Sequence, residues 1–121
     1  MIELRDLTNV DQFKLYLYEI IDLRTTDTIF EGFTFDGKIF SLSISAQINW
    51  SNLLLLPDSI YPLTIAAKDE SIYVLELANR MNFYLGAVAA KNGALQAGVV
   101  LKQQVLGSTT IAELQIIKDS L

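Results

Sequence analysis

The chain has 121 residues, fourteen acidic and nine basic side chains, a net charge of −5, and neither cysteine nor histidine. Disulfides, thiolate metal sites, cysteine nucleophiles, histidine ligands and serine–histidine triads are thereby excluded. The acidic balance, with eight of the acids in the first forty residues, opposes binding to nucleic-acid phosphates and fits a solvated acidic face.

The length suits a single domain, 1–121, that buries a core without staples. At 51% hydrophobic and 19% charged residues, the composition is apolar for so small a chain, so some apolar side chains are expected to face partner chains. The longest uncharged apolar stretch, Phe83 to Ala90, is far short of the roughly twenty residues a bilayer crossing needs. The start Met1-Ile2-Glu3-Leu4-Arg5-Asp6 has no signal-peptide pattern, so a cytoplasmic site of synthesis and no membrane partner are expected.

Thr8-Asn9-Val10-Asp11 has the form of a capping box, in which a threonine hydroxyl and an acid three residues later satisfy the first N–H groups of a helix. Phe13, Leu17, Ile20 and Ile21 repeat at helical spacing, the pattern weakens at Thr25-Thr26, and Gly32 stops it. Phe13-Leu15-Leu17 also alternates at strand spacing, but a helix is the better reading. The run Phe33-Thr34-Phe35-Asp36-Gly37-Lys38-Ile39-Phe40 predicts a β-hairpin, because Asp-Gly supplies the positive φ angles of a two-residue type I′ turn. Phe33 and Phe35 lie on one arm and Ile39 on the other.

Hydroxyls of Ser41, Ser43 and Ser45 can cap the next helix, about Ala46 to Leu55, which Pro57 ends. Trp50 is expected on its inward face, near Phe33 or Phe35. A second hairpin pairs Leu63–Ala66 with Ser71–Val74 around Lys68-Asp69-Glu70, and two hairpins could join in one small sheet, since isolated hairpins are marginal.

Residues 77–106 predict one long helix, on which Phe83, Ala87, Ala90, Ala94, Ala97, Leu101 and Val105 trace one stripe at spacings of four and three. Its alanine middle, beside Gly86 and Gly93, is where a second helix can approach closely. The stripe, with Trp50, is the candidate packing or interface surface. The bulkier neighbouring stripe of Leu77, Met81, Leu85, Val88, Leu95 and Val99 is expected to face the core. Gly107-Ser108 marks a turn, Thr110-Ile111-Ala112-Glu113 is another capping box, and Ile111, Leu114, Ile117 and Leu121 make a short amphipathic helix. The predicted class is α+β: helices, one of them long, packed on one or two short antiparallel hairpins.

No catalytic, cofactor-binding or metal-binding residue is expected. Glu19, Asp22, Asp27 and Glu31 are close in sequence but lack the ligand spacing of a calcium loop, and read as a solvated helix face. Gly86, Gly93 and Gly98 lack the Gly-Lys-Ser/Thr ending of a phosphate loop and read as helix packing. Trp50 with Tyr16, Tyr18, Tyr61, Tyr73 and Tyr84 could offer a sugar-stacking platform, but an aromatic core with a few interfacial tyrosines is the simpler reading.

The order from Gly32 to Trp50, GFTFDGKIFSLSISAQINW, followed by Pro62-Leu63-Thr64-Ile65, Phe83-Tyr84-Leu85-Gly86-Ala87, Leu95-Gln96-Ala97-Gly98 and Leu101-Lys102, resembles a small domain of unknown function in tail-associated proteins of tailed bacteriophages. The resemblance covers 19–121 and leaves 1–18 as a leader helix or arm. It implies a non-enzymatic structural component of a virion, in the tail, baseplate or neck-to-tail region, assembled in the host cytoplasm. Its partners would be copies of itself and other virion proteins. The family domain often ends a longer tail protein, whereas here it is nearly the whole chain, which favours an adaptor that docks parts such as fibres over a receptor-binding tip. A tail-fibre assembly chaperone not retained in the particle is the alternative. A small hydrolase or transferase would need a constellation that is not visible.

Overall fold

The computed structural model describes residues 6–121. The elements, in order, are α1 (Val10–Glu31), β1 (Phe33–Phe35), β2 (Lys38–Phe40), α2 (Ile44–Asn52), β3 (Leu63–Ala66), β4 (Ile72–Leu75), α3 (Arg80–Gly107) and α4 (Ile111–Ser120), with 3-10 turns at Leu53–Leu55, Asp58–Ile60 and Leu77–Asn79. The fold is α+β, with α3, at 28 residues, its longest helix. The chain divides into two compact units, one from the chain up to Asp27 together with Ala94–Leu121, the other Thr28–Gly93; the divisions fall within α1 and α3.

The first unit is helical and its core is mostly aliphatic. Phe13, Leu17 and Ile21 recur every four residues on α1 and meet Val105 of α3 and Leu114 of α4, all almost fully buried. Each such side chain contributes about 1.5–3 kcal/mol by leaving water. Lys14 Nζ donates to the Leu106 carbonyl at 3.0 Å, capping the C-terminal end of α3 with a positive charge where the helix dipole favours one. Ser108 is buried in the following turn, with its hydroxyl donating to the Gln104 carbonyl at 2.8 Å. Thr110 then caps α4 as expected, its Oγ1 accepting from Glu113 N at 3.2 Å.

The start of α1 differs from expectation by one residue. Asn9, not Thr8, provides the cap, its Oδ1 accepting from Gln12 N at 3.1 Å. Thr8 is engaged elsewhere: its N–H (3.0 Å) and hydroxyl (2.6 Å) both donate to Asp6 Oδ1, a local turn that competes with helix capping.

The second unit holds both hairpins. Asp36 (φ 51°) and Gly37 (φ 76°) take the two positive angles of the type I′ turn, and the register pairs Phe33 with Phe40. Phe33 and Phe40 therefore share the buried face, while Ile39 is exposed. The second hairpin pairs Leu63 with Leu75 and Ile65 with Tyr73, which places Leu75 and Tyr73 inward and Ile72 and Val74 outward.

The hairpins do not merge into one sheet: each is a separate two-stranded sheet. A backbone bond from Lys68 N to the Ile39 carbonyl (2.7 Å) ties one to the other. Cover for both comes from rings, so neither needs a longer ladder. Phe83 of α3 is fully buried, with Phe33, Phe35, Phe40 and Trp50 edge-on at centroid distances of 4.9–5.2 Å. Ser43 caps α2, its Oγ accepting from Ala46 N at 3.2 Å, and the helix tightens into a 3-10 turn before Pro57.

Candidate interaction surface

The residues expected to form a packing stripe are not equivalent. Phe83, Ala87 and Trp50 are buried in the second unit and Ala94 in the first; Ala90 and Leu101 are half-buried, and Ala97 is exposed. Gly98 takes the buried place instead of Ala97. A Cβ there would stand 2.5 Å from Thr25 Oγ1 of α1, closer than real Cβ contacts, so any larger residue requires the Thr25 hydroxyl to shift. Close approach of a second helix is seen at Gly98, against Thr25 of α1; Gly86 faces Phe33 of the first hairpin and Gly93 has no neighbour within 4 Å.

Trp50 faces inward, but its ring partners are Phe40 and Phe83 rather than Phe33 or Phe35. Its indole Nε1 donates to the Ser41 carbonyl at 2.8 Å, which satisfies the polar edge of an otherwise buried side chain.

The bulkier stripe of α3 is where expectation and structure part. Leu77, Met81, Leu85, Leu95 and Val99 are exposed, joined by Val100 and Leu106, and Val88 is half-buried. The assignment of this stripe to the core is reversed. The reason lies in what covers the other side: Val105 joins Phe13, Leu17 and Ile21 of α1, Thr25 of α1 approaches Gly98, and Phe83 is surrounded by rings in the second unit, so the leucines and valines are turned outward. Helical periodicity marks both stripes as apolar and does not say which one a neighbouring helix covers.

Other surfaces carry less chemistry. An open groove of about 460 Å³ is lined by Glu31, Gly37, Lys38, Ile39, Lys68 and Asp69. Its lysines are already engaged, Lys38 Nζ with Ser71 Oγ at 2.8 Å and Lys68 Nζ with the Phe30 and Glu31 carbonyls that end α1. Asp69 accepts from the hydroxyl and N–H of Ser71, and these bonds hold its carboxyl below the usual carboxylate range. A second groove of about 610 Å³ is bordered by Ser41, Ser43, Trp50 and Ile65. There Ser43 caps α2, and Ser41 Oγ accepts from Ser43 N at 3.1 Å.

Asp22, Asp27 and Glu31 are exposed on α1, and Asp22 pairs with Lys102. Among the described residues, no group of three or more carboxylates could hold a metal ion, and no helix is long and apolar enough to cross a membrane. No family model, curated protein or solved structure matches the chain.

Proposed function

We propose that this protein is a non-enzymatic structural component of a phage virion, an adaptor in the tail, baseplate or neck-to-tail region that docks larger tail parts such as fibres. The observation that carries the assembly part of this reading is the exposed apolar side of α3. A helix that leaves Met81, Leu85, Leu95, Val99 and Leu106 about half in water has a surface suited to burial against another chain. The placement in a phage tail rests on the ordered motifs from Gly32 to Lys102.

Mass spectrometry of purified particles, with copy number, tests it. A fixed, symmetry-compatible copy number in the tail is the expected result. Absence from particles, with recovery on free fibre protein in the producing cells, would overturn the adaptor reading in favour of an assembly chaperone.

A further inference from the structure

We draw no further inference here: the strongest candidate, the open groove between α2 and β3 bordered by Ser41, Ser43, Trp50 and Ile65, carries nothing, because the hydroxyls of these two serines and the indole N–H are bonded within the chain and nothing in the structure shows what covers it.

Discussion

The two units of this chain solve the same burial problem with different material. The first draws together short aliphatic side chains around Phe13, Leu17, Ile21, Val105 and Leu114, and is held at its margins by Lys14 and the Thr110 cap. The second includes two short hairpins and concentrates its burial around one ring, Phe83, with four other aromatic rings edge-on around it. Helices satisfy their own backbone groups, so the first unit needs only an apolar stripe on each helix. Three- and four-residue strands cannot, and the second unit compensates with wide, shaped rings and side-chain bonds to carbonyls such as Trp50 to Ser41.

The sharpest way to break this comparison is Phe83→Ala, for which a loss of about 3–5 kcal/mol is expected. Near-ultraviolet circular dichroism should collapse with it, because the ring contacts of the second unit depend on that side chain. Leu17→Ala in the first unit should cost about 2–4 kcal/mol by urea titration but leave the near-ultraviolet signal largely in place. Equal spectral loss in both variants would show that the aromatic cluster is not organised by Phe83.

Next in size is a charge on the inner side of α3. Ala94→Glu places a carboxylate at a buried position of the first unit and should cost about 3 kcal/mol, whereas Ala90→Glu, half-buried in the second, should cost about 1 kcal/mol. Thermal melts of the two variants measure the difference directly, and a reversed order would mean that the buried side of α3 has been misplaced.

Gly98→Ala should destabilise by about 1–2 kcal/mol, since the new Cβ forces Thr25 Oγ1 away from its bond to the Ile21 carbonyl (2.9 Å). Pairing it with Thr25→Ala should recover most of the loss. A double variant as unstable as the single one would place the strain elsewhere.

The second unit should also respond to alkali. Burial, and then the bond from the Tyr73 hydroxyl to Asp36 Oδ2 (3.1 Å), raise the Tyr73 pKa above the ordinary tyrosine value. Its folded-state pKa lies above the unfolded one, so the associated stability is complete below about pH 10 and is lost as pH rises through the folded value. Ultraviolet titration should find one tyrosine ionising last, and Asp36→Asn, compatible with the turn, should bring it closer to the others.

The smallest effect is expected at the Asp22–Lys102 pair, which is exposed enough that Asp22→Asn should change stability by about 0.5 kcal/mol or less.

Much of the architecture was legible before any coordinates. The Asp36-Gly37 turn, the serine cap of α2, the second hairpin, the long helix and the Thr110 cap all follow from local preferences that need only a few neighbouring residues. The inward face of Trp50 follows from its place on α2 next to the first hairpin, but its ring partners Phe40 and Phe83 come from register and from a residue more than thirty positions away. The cap belongs to Asn9 and not to Thr8 because of a competing turn at Asp6, which lies outside the four-residue capping pattern.

What local sequence determined is the existence and type of the elements, since dihedral preference, capping and hydrophobic period act over a turn or two. Tertiary structure alone decided that the two hairpins stay separate and which apolar stripe of α3 is covered. Both stripes repeat at helical spacing, and periodicity carries no sign. The choice falls to steric reach: Gly98 lets Thr25 of α1 come close, a leucine in its place would hold it off, and the bulky stripe is left to the outside.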